Sequence, residues 1–468
     1  MAATARPPRP VRSERRMTDA EALMWTLEQD PALRSTFLNV TFLDSPPDVP
    51  RFRARLARAA ADIPRLRQRV VAAPGRLAPP AWQDDPSFDL EYHVRHIALP
   101  LPGTDRQLLD WAALHFQDPF DRARPLWEYT IVEGLSGGRA ALVAKMHHTV
   151  TDGVGGVRMS AMFLDTERHA PDLPPADGPT PAGGSGGAVE AVLDALGHLA
   201  RRQLGAGRRA ASLAAGAVVH PTRAARGAGE LGEVARSVVR QLAVTDRARS
   251  PLWSGRRSLG RRFEILSLDL DRMKDVAHAL GGTVNDAFVC GLAGGAGAYH
   301  RERGVEVDEL RVSVPVSTRG DASAAGNAFT PLRVLVPCGI KDPKERFRIV
   351  HERLAATKRE RVLSLTESLA ALLNALPTPA VVSLARSQTG TVDFAASNLR
   401  GAPWDLYVAG SRVLSNHPMG PTAGTGFNAT VLSYRSTLDM GIDIDTAAVD
   451  DPGLLRDCIA ASFDELAG

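Results

Sequence analysis

The sequence predicts an α/β protein of the α+β type, built as two subdomains joined by a crossover. Three observations point there. The 468 residues exceed what one typical hydrophobic core organises. Strand-like and helix-like segments alternate through both halves. Between the halves, residues 171–188 (PDLPPADGPTPAGGSGGA) have the composition of a flexible linker. The expected organisation is a disordered basic tail over 1–16 and a first subdomain over 17–170. A linker with an amphipathic helical crossover follows over 171–255, and a second subdomain over 256–468.

In order, Thr18 with Glu21 three residues on forms a capping box and opens a helix. TFLNVTFL (36–43) is a strand, and Arg51 to Ala61 an Arg/Ala helix stopped at Ile63-Pro64. Leu90 to Leu99 is expected to be a strand and Gln107 to Phe116 a helix. Glu128 to Val132 and Ala140 to Met146 are strands joined by the turn Ser136-Gly137-Gly138. In the crossover, apolar residues at helical spacing (Val189, Val192, Leu193, Leu196, Leu199, then Leu231, Val234, Val238, Val239, Leu242) define two helices, and Arg236 and Arg240 lie on the opposite face of the second. Such a helix either packs on its own protein or rests on an anionic membrane.

The second half resumes with a strand from Phe263 to Leu270 and a helix from Asp271 to Leu280. A long small-residue helix, capped within Thr283-Val284-Asn285-Asp286, runs to Tyr299. Strands follow at 310–316 and 329–336, and a charged helix at Lys344 to Arg361. Val392 to Ala396 is a short strand ending at Ser397-Asn398. A hairpin over 429–444 and a helix from Asp451 to Leu466 close the chain.

Composition excludes several classes. A net charge of +3 gives no electrostatic footprint for nucleic acid. Cys290, Cys338 and Cys458 are far apart and odd in number, which argues for a reducing interior and against a disulfide frame. The N-terminal MAATARPPRPVRSERR lacks the apolar segment of a secretory signal, and no run approaches the roughly 18 apolar residues of a membrane span. The expectation is a cytosolic protein, attached at most to a membrane surface.

The chemistry concentrates in LVAKMHHTVTDGVGG (142–156), an instance of HHxxxDG: His147, His148, Asp152 and Gly153. An apolar strand delivers two imidazoles to an acid and a glycine-rich segment, read as a flexible turn that a ligand can approach closely. Imidazole accepts and returns protons near neutral pH. Adjacent strand residues point to opposite faces, so one histidine faces reacting groups while the other packs behind it. That same geometry supplies a third metal ligand poorly, so no metal is expected. With no GxSxG elbow and no catalytic cysteine setting, a general base acting on the acceptor's own hydroxyl fits better than a covalent enzyme intermediate.

HHTVTDG, together with PLWE (125–128), NDAF (285–288) and SVPVSTR (313–319), resembles the bacterial wax ester synthase/acyl-CoA:diacylglycerol acyltransferase family. The likeness runs from Met17-Thr18-Asp19 through WQDDPSFDLEYHVRHIALP (82–100) to SYRSTLDMGIDID (433–445). HHxxxDG itself is shared with condensation domains and other chloramphenicol-acetyltransferase-like enzymes; the order of PLWE, ND and the Ser-Asn element selects this branch. The resemblance implies two chloramphenicol-acetyltransferase-like subdomains with an active-site tunnel where they meet. It assigns His148 as general base, with His147 and Asp152 supporting its position, Asp152 by pairing with an Arg, and with Gly153 leaving room beside it. Acyl-CoA enters as a substrate, no cofactor is needed, and the acceptor is diacylglycerol or a long-chain alcohol. Membrane or lipid-droplet attachment is implied, as monomer or homodimer.

The remaining motif residues carry alternative readings. Pro125, Leu126 and Trp127 either pack the histidine loop or touch substrate. Asn285 is a helix N-cap or, beside Asp286, shapes the site. Arg319 is a surface charge, holds an acid or faces CoA phosphate. Ser397-Asn398 continues as Leu399-Arg400-Gly401-Ala402 where the family pattern SNxPGP has two prolines, which puts the local loop in doubt. The second Pro-Leu-Trp (251–253) looks accidental. The rival functions are a stand-alone condensation-type enzyme fed by carrier-bound acyl groups and a non-catalytic lipid-droplet-binding protein.

Overall fold

A computed structural model describes residues 16–73, 78–151, 153–172, 250–255, 257–317, 329–359 and 376–468, with residues 197, 370, 373 and 374 besides. Residues 1–15 of the expected basic tail, the crossover helices, Asp152 and Arg319 lie outside the described residues, whereas Arg16, the last residue of that tail, bridges Ala81 and bonds the Pro79 carbonyl at 2.7 Å.

Thr18 opens the first helix, α1 (Asp19–Leu27). Its hydroxyl accepts the Glu21 N–H at 3.1 Å, and Glu21 accepts the Thr18 N–H at 2.9 Å. β1 (Thr36–Leu43) and α2 (Val49–Asp62) follow, then a small hairpin of β2 (Gln68–Val71) and β3 (Ala81–Asp84) that the sequence reading missed. The strand expected from Leu90 is cut short. Asp89 caps a one-turn helix, α3 (Leu90–His93), and only Val94–Ala98 remains as β4. After α4 (Asp105–Gln117) come β5 (Trp127–Leu135) and β6 (Arg139–His147). Gly137, at φ 77°, takes the left-handed conformation their tight turn requires. The glycine-rich segment expected to be a flexible turn instead winds into α5 (Gly153–Ser160).

The second half contains β7 (Arg261–Asp269), α6 (Leu270–Ala279), α7 (Val284–Glu302), β8 (Glu309–Ser317), β9 (Phe329–Pro337) and α8 (Pro343–Arg359). It continues with α9 (Thr378–Thr389), β10 (Phe394–Arg400), β11 (Tyr407–Val408) and β12 (Ser411–Met419). The β13–β14 hairpin (Phe427–Tyr434, Thr437–Asp445) and α10 (Pro452–Ala467) complete it. Ser397-Asn398 therefore sits inside β10, which runs on to Arg400. The missing prolines explain that: nothing after Asn398 forbids ladder hydrogen bonds, and Leu399 and Arg400 pair with Leu432 and Ser433.

Two six-stranded sheets carry the fold, ordered β11-β12-β1-β6-β5-β4 and β7-β14-β13-β10-β8-β9. The first is not made by the N-terminal half alone. β12, from the C-terminal half, pairs antiparallel with β1 (Leu38 opposite Met419, Val40 opposite His417). β12 also passes so close to β14 that a Cβ at Gly441 would lie 2.3 Å from the Pro418 carbonyl oxygen, so only glycine fits there. One face of the first sheet packs on α2 through Phe52 and Leu56. Its other face packs on α4 through Leu108 and Ala112, with Phe263 and Met419 contributed from the second half. The second sheet buries Val312, Phe394, Val431 and Ile442 against α7 and α10.

Trp253 is fully buried in that second core, edge-on to His300 at 4.5 Å and to Phe427 at 5.5 Å. The second Pro-Leu-Trp thus anchors the chain as it enters the C-terminal half.

Candidate active site

β6 brings both histidines to the start of β1. Thr36 lies opposite His147 and Phe37 opposite Met146, and the strand ends at His147. His147 is buried. The Thr149 hydroxyl closes on its Nδ1 at 2.7 Å, and the Thr149 N–H donates to the same atom at 3.1 Å. Because a backbone N–H can only donate, Nδ1 accepts and the ring proton sits on Nε2. There it faces Glu28 Oε2 at 3.1 Å. Glu28 is a site residue that sequence reasoning missed; nothing distinguishes it locally from any acid at a helix end. Burial opposes its charge, but the His147 hydrogen bond, the Ser35 N–H and the Arg34 charge outweigh that and hold its carboxyl below the usual range.

His148 begins the turn after β6, half-buried, with its N–H donating to the Ser35 carbonyl at 2.9 Å and its ring 4.9 Å from that of Phe37. Burial first, and His147 second, push its imidazole down to about 4. At neutral pH it is uncharged, with a ring nitrogen able to accept a proton. α5 begins at Gly153 just beyond. A Cβ on Gly156 would touch Thr151 and Phe37 at ordinary contact distance, so the helix lies over the same ring that flanks His148.

The PLW segment meets the histidine pair through backbone: the Leu126 carbonyl accepts the His147 N–H at 3.0 Å. Trp127 is fully buried, stacked on His93 at 4.4 Å, and its indole N–H donates to the Leu66 carbonyl at 2.7 Å. Pro125 accepts the Trp127 N–H. In this conformation the indole is sealed from any ligand and fixes the start of β5. β10, bearing Ser397 and Asn398, packs against α5 and so borders the motif from the second half.

Asn285 and Asp286 stand elsewhere, at the start of α7. The N-cap is Thr283, and Asn285 is the second residue of the helix, which corrects the capping reading for Asn285. Thr283 wins the position because Asp286 completes a capping box with it. The same Asp286 oxygen faces His351 Nδ1 at 2.8 Å.

A cavity of about 170 Å³ opens where the halves meet, lined by Arg34, Thr36 and Gln117 from the first and Leu259, Arg261 and Thr422 from the second. Thr36 places it beside the histidine-bearing strand. Among the described residues no group of His, Cys, Asp and Glu has the arrangement of a metal site, and no helix is long and apolar enough to cross a membrane.

A family model described as the wax ester synthase/diacylglycerol acyltransferase catalytic domain matches residues 15–288, and its C-terminal companion matches 325–467. A Mycobacterium tuberculosis protein named as a diacylglycerol O-acyltransferase is 36% identical over 451 residues, covering 95% of this chain and 90% of its own. Another protein so named from that organism is 30% identical over 420 residues, covering 87% and 86%. Among solved structures, a wax ester synthase/diacylglycerol acyltransferase from Marinobacter aquaeolei VT8 matches with TM-score 0.64 at 22% identity, over 96% of this chain and 98% of its own. The first condensation domain of the calcium-dependent antibiotic synthetase matches with TM-score 0.59 at 18% identity, over 97% of each chain. These last two speak to the fold, the mixed α/β architecture shared with condensation domains. With the catalytic-domain model over residues 15–288, the histidine pair inside it, and its C-terminal companion over 325–467, the chain belongs to the wax ester synthase/diacylglycerol acyltransferase family and is an acyltransferase.

Proposed function

We propose that His148 is the general base of acyl transfer from acyl-CoA to the hydroxyl of diacylglycerol or a long-chain alcohol. The observation that carries this is a neutral, half-buried imidazole beside Phe37 at the mouth of a glycine-started helix. His148 takes the acceptor's hydroxyl proton as the oxygen attacks the thioester carbonyl. A C–O bond forms, the C–S bond breaks, and the imidazolium returns the proton to the departing thiolate. His147 holds its neighbour from behind. Asp152 keeps a supporting role in this reading, and Gly153 leaves space at the helix start.

Thiol release from palmitoyl-CoA tests it, with dioleoylglycerol, hexadecanol or no acceptor. Acceptor-dependent release should fall by about 10²–10⁴ in His148→Ala. Release from palmitoyl-CoA no faster than the blank would instead favour a carrier-bound donor.

The protein also works at a lipid surface in this reading. Support comes from Trp404, 57% exposed in the loop after β10, and from the exposed Arg400 and Arg435. Arg435 lies alongside that loop: its N–H donates to the Ala402 carbonyl and its guanidinium pairs with Asp405 at 3.3 Å. An exposed indole flanked by guanidinium groups suits an anionic lipid interface. Sedimentation with phosphatidylglycerol vesicles should weaken in Trp404→Ala; equal binding by the variant would remove this attachment point.

A further inference from the structure

One carboxylate oxygen reaches both histidines of the motif by separate routes. Glu28 caps the C-terminal end of α1, and its Oε2 faces His147 Nε2 at 3.1 Å while also accepting the Ser35 N–H at 2.9 Å. The Ser35 carbonyl, in turn, accepts the His148 N–H at 2.9 Å. Arg34 approaches the other oxygen, Oε1, at 4.0 Å. On the far side of the His147 ring, Thr149 occupies Nδ1, so Glu28 is the acceptor for the one ring proton that remains.

We propose that Glu28 is a positioning residue for His148, holding the His147 ring in its Nε2–H form and pinning the Ser35 segment against which the His148 main chain is fixed. The inference rests on His148 being the base. Glu28 reaches His148 through the His147 ring and the Ser35 main chain, so it acts through geometry, as a residue one layer behind the chemistry does. A carboxylate that merely satisfied a buried histidine would influence folding alone. One that positions the base must change turnover in molecules that are folded and still bind the donor.

Purified full-length Glu28→Met, Glu28→Gln, Glu28→Asp, His147→Asn and the Glu28→Met/His147→Asn double variant are compared with palmitoyl-CoA and dioleoylglycerol. Circular dichroism melting is followed in parallel. Glu28→Met keeps the stem without an acceptor; kcat should fall about tenfold or more, with KM for palmitoyl-CoA within about twofold. Glu28→Gln retains an acceptor oxygen and should stay within about threefold of wild type. The double variant should lose no more than the worse single one, because both changes break the same linkage. If Glu28→Met does not fold, Glu28→Asp serves: its carboxylate is withdrawn by one methylene, and kcat should drop about fivefold or more. Unchanged kcat in the folded variant, or losses that multiply in the double variant, overturns the positioning role while His148→Ala remains inactive. Turnover surviving in His148→Ala overturns the base assignment and this proposal with it.

Discussion

At the scale of single residues, the decisive property of His148 is that burial keeps it uncharged. A free imidazole loses half its base form near pH 6.5, whereas this one stays neutral down to about 4. The acid limb of kcat/KM should accordingly fall below about pH 5, and a limb at 6.5 would mean that the free enzyme exposes the ring fully to water. The strand ends at His147 and leaves His148 in the turn, but the HHxxxDG motif that joins them was legible in the sequence. Glu28 was not. It stands 119 residues before His147, and only the pairing of β1 with β6 brings the end of α1 to that ring. Phe37 is similar: as a letter in TFLNVTFL it is one more strand residue, and register alone sets it beside His148.

Among the elements, strand periodicity was the dependable signal. TFLNVTFL became β1 residue for residue, and the closing hairpin formed where it was expected. Strands failed where side-chain caps intervened, as Asp89 does before β4, where a short edge element such as β11 has too few residues to show alternation, and at β12, whose polar residues and proline (SRVLSNHPM) hide the period. The glycines after the motif misled for a different reason: their flexibility does not forbid a helix that tertiary packing supports.

The β5–β6 pair also holds a charge cluster that no pattern announced. Lys145, 1% exposed, donates to the Asp118 carbonyl at 2.8 Å, and burial brings its amine down to about 8. It stands directly across from Glu128, which Arg95 bonds at 3.0 Å. His115 lies 3.3 Å from Glu128, but burial, then Lys145 and Arg95, lower its imidazole to about 3 and leave it neutral. Lys145→Met should therefore destabilise by about 3–5 kcal/mol in urea unfolding, since it leaves Glu128 with less compensating charge. Adding Glu128→Gln should recover part of that loss, and strictly additive losses would show the two residues uncoupled.

For the whole molecule, buried histidines set the response to acid. His148 and His115 are held at about 4 and about 3, and burial also lowers His93, His300 and His417. A group whose folded value lies below its unfolded one takes up a proton on unfolding between the two. Stability then rises with pH across that window and is lost as pH falls below 6.5, by at most about 1.4 kcal/mol per unit for each group. Asp443 acts in the opposite sense. Burial raises it to about 7, so it sheds a proton on unfolding between its ordinary value and 7. The histidines outnumber it, and melting temperature should be several degrees lower at pH 5 than at pH 7.5 by calorimetry. Equal melting temperatures would mean that the imidazoles take up protons without unfolding.

The same sheet that ends at the histidine motif also has a history in time. Thr41 bonds Asn416, a partner 375 residues downstream, because β12 fills the edge beside β1. On a ribosome adding about 5–20 residues per second, that edge waits tens of seconds for its strand. Until then β1 presents an open row of backbone donors and acceptors, flanked by apolar side chains, to any neighbouring chain. A fragment ending at residue 170 should for that reason precipitate when expressed alone, and supplying the C-terminal half in trans should return it to solution.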